Sequence, residues 1–129
     1  MIKANELRIG NKLQKENGEA YTVSRIDNTQ DVLVEEQRGL LTLNYNLFGI
    51  TLTPEILEKC GFVKVKNRLE LRCVNQGNES TINSTFSCYP LTLEVYGART
   101  PIWNIKYFHQ LQNLYFALTG EELIYKNEN

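Results

Sequence analysis

Residues 62–73, FVKVKNRLELRC, decide the fold class because their apolar and charged side chains alternate with a period of two. From Val63 to Cys73 the apolar side chains take the odd positions and the charged ones the even positions, which is typical of a β-hairpin with one buried face. Asn67 marks the expected turn. The basic residues of this hairpin are then expected to share one exposed face, offset only by Glu70; they are Lys64, Lys66, Arg68 and Arg72.

The sequence after the hairpin predicts a loop, a strand and a helix. Residues 75–87, NQGNESTINSTFS, are polar and unpatterned, so we expect a surface loop or a disordered hairpin tip there. Residues 91–96, LTLEVY, alternate again and predict a strand. In residues 105–123 the apolar side chains recur at helical spacing and Gly120 is placed to end the helix. The apolar stripe consists of Phe108, Leu111, Leu114, Tyr115 and Leu118.

The sequence before the hairpin predicts a set of short strands and then a short helix. Residues 13–52 contain apolar runs broken by Asn17-Gly18, Asp27-Asn28 and Arg38-Gly39, which suit tight turns. Four or five strands of about five residues favour a small SH3-like barrel over a Greek-key OB arrangement. Residues 53–55, TPE, are a helix start, since Thr caps and Pro fits the first turn; Gly61 ends this helix.

Together these elements predict an α+β fold. Residues 1–53 form an N-terminal, small SH3-like β-barrel half, and residues 54–129 form a second sub-domain. The second sub-domain contains the linking short helix and an antiparallel sheet packed by the C-terminal helix. We expect both sub-domains to share one compact unit, because 129 residues suffice for a single core.

Composition excludes several function classes. The formal net charge is -1, so a global basic field for nucleic acid or anionic lipid is missing. No apolar run approaches the roughly 20 residues of a membrane span and no signal peptide is recognisable, so a cytoplasmic protein without membrane contact is expected. Cys60, Cys73 and Cys88 form neither a disulfide set nor a C-x-x-C metal site, so reduced thiols, no metal and no cofactor are expected.

Three blocks of sequence carry a family resemblance. They are NELRIGN at residues 5–11, ITLTPEILEKCGF at 50–62 and HQLQNLYFALTGEEL at 109–123, of which the last is the most specific. They resemble an uncharacterised family of small proteins encoded by phages, prophages and mobile elements of Bacteroidota. The resemblance implies a small intracellular accessory protein, acting in the host cell cytoplasm if it is phage-encoded. It implies no catalytic or binding residues.

No catalytic constellation is recognisable. His109 is the single histidine, and the sequence has no nucleophile frame, phosphate loop or paired carboxylates to accompany it. We expect His109 to cap the C-terminal helix or to lie partly in solvent. The segment 96–109, YGARTPIWNIKYFH, instead mixes basic and aromatic side chains, which can hold a phosphate and stack a base. The candidate ligand-binding residues are Tyr96, Arg99, Trp103, Lys106, Tyr107 and His109.

The sequence therefore favours a non-catalytic binding protein of phage or mobile-element origin. It would bind a host protein or sequester a small nucleotide-type ligand, and counter-defence is one role compatible with this. Lys64, Lys66, Arg68 and Arg72 are the candidate patch for an anionic partner. The alternatives are a nucleic-acid-associated module, which near-neutral charge disfavours, a virion structural or assembly component, and a small enzyme that uses His109. Self-association into a homo-oligomer is compatible with each of them.

Overall fold

A computed structural model describes residues 7–14, 20–26, 32–36, 39–43, 48–85 and 89–126. The described residues contain ten strands and two helices. The chain divides into two compact units, of which unit 1 is Met1–Ile50 with Tyr107–His109, and unit 2 is Thr51–Lys106 with Gln110–Asn129. Each unit has one antiparallel sheet, and most of the C-terminal helix belongs to unit 2. The prediction of an α+β fold is therefore confirmed.

The sheet of unit 1 has the strand order β4-β3-β2-β1-β5. Its strands are β1 (Lys12–Gln14), β2 (Ala20–Ile26), β3 (Val32–Glu36), β4 (Gly39–Leu43) and β5 (Phe48–Gly49). The last strand returns to pair with the first, through Leu13 opposite Gly49. Within the described residues β4 and β5 are edge strands and no closed barrel forms, so the SH3-like barrel is not confirmed. The predicted turns at residues 17–18 and 27–28, and Arg38, lie outside the described residues.

A buried asparagine sets the start of this sheet. The Asn11 side chain is fully buried, and its Oδ1 accepts a hydrogen bond from the Arg8 amide at 2.6 Å. The Asn11 carbonyl accepts from the Val23 amide, and the Gly10 amide donates to the Val23 carbonyl, both at 2.8 Å. Because a side-chain amide can replace a backbone partner in a turn, Asn11 holds the chain in position to begin β1 beside β2.

Unit 2 is a meander with the strand order β10-β9-β8-β7-β6. Its elements are α1 (Pro54–Lys59), β6 (Val63–Val65), β7 (Arg68–Asn75), β8 (Asn78–Ser84), β9 (Leu91–Val95), β10 (Ala98–Ile102) and α2 (Phe108–Thr119). Helix α1 begins as predicted, since the Thr53 hydroxyl accepts a hydrogen bond from the Ile56 amide at 3.2 Å. The predicted strand at 91–96 and the C-terminal helix are also confirmed.

Three two-residue turns connect the strands of this meander. They are Lys66–Asn67, Gln76–Gly77 and Tyr96–Gly97, and the first residue of each has a positive φ near 50°. Such turns match the twist of the flanking strands. The prediction of a surface loop or disordered hairpin tip at 75–87 is wrong for Asn78–Ser84, which forms the central strand β8, and residues 86 and 87 lie outside the described residues. Its sequence looks like a loop because only Ile82 on it is a large apolar residue.

The core of unit 2 lies on one face of its sheet. Cross-strand pairing places Leu71 opposite Ile82 and Ile82 opposite Leu93, and paired residues project to the same face. Ile82, Leu91 and Leu111 are fully buried. The apolar row Leu71–Ile82–Leu93 extends across β7, β8 and β9. Because side chains alternate along a strand, the residues before and after each member of this row project to the opposite face.

Candidate functional site

The register of the β6–β7 hairpin corrects the predicted basic face. Because the turn has two residues, Val65 lies opposite Arg68 and Lys64 lies opposite Leu69. Paired side chains share a face, so Lys64 projects with the buried Leu69, away from Arg68. The prediction that Lys64, Lys66, Arg68 and Arg72 share one face is wrong, since Lys66 lies in the turn and Lys64 on the other face. Whether these residues bind an anionic partner stays a prediction.

The arginines of the outer sheet face are each paired with a glutamate. Arg68 lies 2.7 Å from the Glu70 carboxylate, and the Arg99 guanidinium lies 3.5 Å from that of Glu94 on the neighbouring strand. A hydrogen bond of 3.0 Å joins Arg72 to the Glu79 carboxylate, and this contact raises the pKa of Arg72. Three neighbouring Arg–Glu pairs reduce the positive potential of this face, as expected for a solvated surface.

A small cavity lies on the face of the sheet that Lys64 shares. Its volume is about 60 Å³. The pairs Lys64–Leu69 and Leu69–Ser84 form one row across the sheet, and all three residues line the cavity. The remaining lining residues are Pro54, Glu58, Asn67, Arg68 and Thr85. In the described part of the chain Lys64 and Lys66 have no hydrogen-bond or ion-pair partner.

An exposed aromatic cluster lies where β9 begins and β10 ends. The rings of Tyr89 and Trp103 meet edge to face, with 5.9 Å between their centroids and an interplanar angle of 72°. The Tyr89 hydroxyl donates a hydrogen bond to the Trp103 carbonyl at 2.7 Å. The Lys106 Nζ lies 5.1 Å from the centroid of the Tyr89 ring. We call Tyr89, Trp103 and Lys106 the aromatic cluster.

The aromatic cluster is held in place and still open to solvent. Trp103 exposes 60% of its surface and Tyr89 exposes 37%. The Lys106 amide donates to Gln110 Oε1 at 2.8 Å, and the Lys106 carbonyl accepts from the Leu52 amide at 3.3 Å. Positioned aromatic faces and a nearby ammonium group are the two elements that recognition of a base and a phosphate requires.

The six predicted ligand-binding residues separate into three pairs. Tyr96 lies in the β9–β10 turn with 88% of its surface exposed, and Arg99 is on β10 beside it. Trp103 follows the other end of β10, four residues beyond Arg99, which is about 14 Å by strand rise. Thus Trp103 and Lys106 remain together, while Tyr96 and Arg99 are not part of the same site.

Tyr107 and His109 form the third pair and belong to unit 1. Their rings are stacked, with centroids 6.0 Å apart and an interplanar angle of 8°. His109 is fully buried, so the expectation that it lies partly in solvent is wrong, and it lies within α2, after the first helical residue Phe108. A general base must reach its substrate, and a histidine with 0% exposure has no open path to one in this conformation.

Sequence reasoning missed Tyr89, although a signal for it exists. The two-residue turn Tyr96–Gly97 pairs Leu91 with Ile102, so the residues just outside that pair lie beside one another. Counting outward from the turn places Pro90 opposite Trp103, so Tyr89, the neighbour of Pro90, comes within reach of the indole. The sequence signal for this contact is the Gly after Tyr96, because it indicates a two-residue turn and so sets the register of β9 and β10.

The other reactive side chains of the described residues include two buried thiols. Burial raises the pKa of the Cys60 thiol to about 12 and that of the Cys73 thiol to about 11, which opposes thiolate formation. Within the described ranges no three His, Cys, Asp or Glu side chains come together as a metal site. Neither helix in that part of the chain is long and apolar enough to cross a membrane.

Comparison with known proteins gives no match, since no family model, no curated protein and no solved structure is significantly similar to this chain. The functional argument therefore rests on the geometry of the two surfaces of unit 2.

Proposed function

We propose that this chain is a non-catalytic binding protein that holds a nucleotide-type ligand on the aromatic cluster. The observation that carries the proposal is the exposed Trp103 indole, supported by Tyr89, with the Lys106 ammonium group bordering the same tyrosine ring. A base would stack on the indole, and the phosphate of the same ligand would contact Lys106. In line with the sequence resemblance, the setting proposed for this activity is an accessory protein of a phage or mobile element in a host cytoplasm.

The ligand is expected to lie on the surface, because the cavity of about 60 Å³ is too small to enclose it. Enclosing pockets for small molecules measure roughly 300–1,000 Å³. Stacking of a base on an aromatic side chain contributes about 1–3 kcal/mol, and one exposed charge pair contributes about 1 kcal/mol or less. Together they give at most about 4 kcal/mol, so a mononucleotide should bind with a Kd no tighter than about 1 mM.

The chain contains one tryptophan, so its fluorescence reports directly on the proposed site. Titration with AMP should change the Trp103 emission in a saturable way, and adenosine should bind more weakly because it lacks the phosphate. Lys106→Ala should weaken AMP binding roughly three- to five-fold, as expected from the loss of about 1 kcal/mol. Lys126→Ala is the matched control, since Lys126 is also exposed.

Trp103→Ala should abolish AMP binding. Because this substitution removes the fluorophore, AMP binding to the variant is measured by calorimetry. If AMP leaves the emission unchanged up to several millimolar, or if Lys106→Ala and Lys126→Ala behave alike, the nucleotide proposal is wrong. A steep loss of oligonucleotide affinity with salt, removed by Arg72→Glu and not by Lys106→Ala, would instead favour the nucleic-acid module.

We also propose that unit 1 is a barrel half of SH3-like type. Two features of the sheet support this: its last strand β5 pairs with its first strand β1, and the register of β2 shifts between Val23 and Arg25. A bulge of this kind bends a strand and helps a sheet to curl. Nuclear Overhauser contacts between β4 and β5 would support closure, and rapid amide exchange along both strands would contradict it.

A further inference from the structure

We propose that the edge strand β6 of unit 2 receives an extended, acidic peptide segment of a partner protein, with one carboxylate directed into the cavity beside Lys64. This interaction surface is separate from the aromatic cluster. It does not depend on the nucleotide proposal, and the two can fail independently.

The two edges of the sheet differ in their readiness to accept another strand. The edge strand β10 contains Pro101, which lacks an amide hydrogen, and proline on an edge prevents further pairing. The other edge, β6, contains no proline. Within the part of the chain that the structure describes, only β7 pairs with β6 and Val63 exposes 63% of its surface, so this edge can accept an added strand.

The side chains of β6 define the sequence that an added strand should have. Val63 and Val65 project to one face and Lys64 projects to the other, beside the cavity. Cross-strand neighbours share a face, so a paired strand would place apolar residues next to the valines and a central residue next to Lys64. An apolar–acidic–apolar triplet therefore matches β6.

The cavity favours a carboxylate as that central group. Lys64 lines it and projects to this face, whereas the guanidinium group of Arg68 is paired with Glu70 on the other face, so Lys64 is the cation that would meet a carboxylate. The volume of about 60 Å³ corresponds to about two water molecules, which is the scale of a single carboxylate. Among the residues described, Lys64 has no other ion-pair partner, so an acidic group would not displace an existing one.

One residue of the cavity opposes this ligand and provides a sharp test. The carboxylate-bearing side chain of Glu58 also lines the cavity, and a second carboxylate nearby would be repelled. Removing the charge of Glu58 should therefore strengthen the binding of an acidic peptide. A role of Glu58 in folding alone would not give this gain.

A second copy of this chain is a poorer occupant of β6 than an acidic segment. A two-fold antiparallel pairing centred on Lys64 would place two lysines directly opposite one another. Like charges in cross-strand positions are destabilising. Charge complementarity thus favours a partner that has Glu or Asp at the central position.

The test uses the full chain and the peptide Thr-Val-Glu-Val-Thr, blocked at both ends, with its Gln analogue as the control ligand. Binding is followed by the amide chemical shifts of residues 63–65. The Glu peptide should shift these amides and bind at least roughly five-fold more tightly than the Gln peptide. Lys64→Ala should remove that preference, and Glu58→Gln should raise the affinity roughly two-fold.

Lys106→Ala is the matched control variant, because it disables the proposed nucleotide site and should leave peptide binding unchanged. Unshifted 63–65 amides at millimolar peptide, equal affinity for the Glu and Gln peptides, or weaker binding by Glu58→Gln would each overturn the inference. So would a concentration-dependent dimer that shields the same amides. Far-UV circular dichroism of each variant verifies that it is folded.

Discussion

The Gly49 backbone lies against the Tyr107 side chain in unit 1, which predicts that the small substitution Gly49→Ala has a large effect on stability. A Cβ atom on Gly49 would lie 2.4 Å from Cγ and 2.7 Å from Cβ of Tyr107. Ordinary contacts start near 3.4 Å, so the two segments would have to separate by about 1 Å. Overpacking of this kind costs about 1–3 kcal/mol. We expect the upper part of that range, because Cβ and Cγ of Tyr107 are held next to the Tyr107 backbone and a change of rotamer cannot move Cβ away.

The expected result is a loss of about 2–3 kcal/mol in the free energy of unfolding, or about 10 °C in Tm for a chain of this size. It is measured by urea unfolding followed by far-UV circular dichroism. Gly77→Ala is the matched control: Gly77 has a φ of +86° and no atoms within 4 Å of the added Cβ. Its cost arises from backbone strain alone and should be about 1–2 kcal/mol.

A double-mutant cycle separates the contact from other effects of the substitution. In a Tyr107→Gly background the opposing Cβ and ring are gone, so Gly49→Ala should cost less than about 0.5 kcal/mol. The φ of Gly49 lies outside the left-handed region, so alanine can adopt its backbone conformation. If Gly49→Ala costs the same in both backgrounds, or is neutral in the wild type, Tyr107 does not lie against β5.

Three further predictions concern unit 2. Ile82→Ala removes a fully buried side chain from the central strand and should cost about 2–5 kcal/mol in urea unfolding; a cost below about 1 kcal/mol would contradict the core position of β8. Thr53→Ala removes the cap of α1 and should cost about 1 kcal/mol, while Thr53→Ser should be nearly neutral. In a Cys88→Ser background the thiols of Cys60 and Cys73 should react slowly with Ellman's reagent at pH 8, and fast reaction would show that they are accessible.

The same thiols predict the direction of the pH dependence of stability. Burial raises the folded-state pKa of Cys60 to about 12 and that of Cys73 to about 11, from 9.0 in an open chain. Above pH 9 the unfolded chain loses these protons first, so ionisation favours unfolding. Their contribution to stability is complete below pH 9 and falls as the pH rises to about 11–12. Replacing both cysteines by alanine should reduce the dependence of the free energy of unfolding on pH between about pH 9 and pH 12.

Local patterns in the sequence were sufficient to predict most of the elements. Period-two alternation in 62–73 indicated a hairpin, and Thr53-Pro54 and Gly61 gave the limits of α1. Strand β8 was missed for a physical reason. Its residues 78–84, NESTINS, are mainly small and polar, because neighbouring strands supply much of the apolar surface around Ile82. Propensity alone cannot distinguish such a strand from a loop.

The residue types in the sequence identified Trp103 and Lys106 as members of the candidate site. They did not identify the side chains that contact Trp103 and Lys106 in the folded chain. Proximity along the chain suggested that Tyr96 and His109 belong with them, whereas Tyr96 lies at the other end of β10 from Trp103 and His109 belongs to unit 1. Tyr89, which is distant in sequence, is in direct contact with Trp103. Sequence spacing predicts contacts within a helix or a strand, and contacts between strands depend on register.

Both proposed surfaces therefore depend on the two-residue turns more than on the charged residues themselves. The turn at Lys66–Asn67 brings residues of opposite parity face to face, which separates Lys64 from the paired arginines and directs it towards the cavity. The turn at Tyr96–Gly97 sets the register that brings Tyr89 to Trp103. A shift of one residue in either hairpin would turn every side chain of the shifted strand to the opposite face. A relative of this chain should consequently retain these turn lengths if it binds the same partners, even where its lysines and aromatic residues have moved.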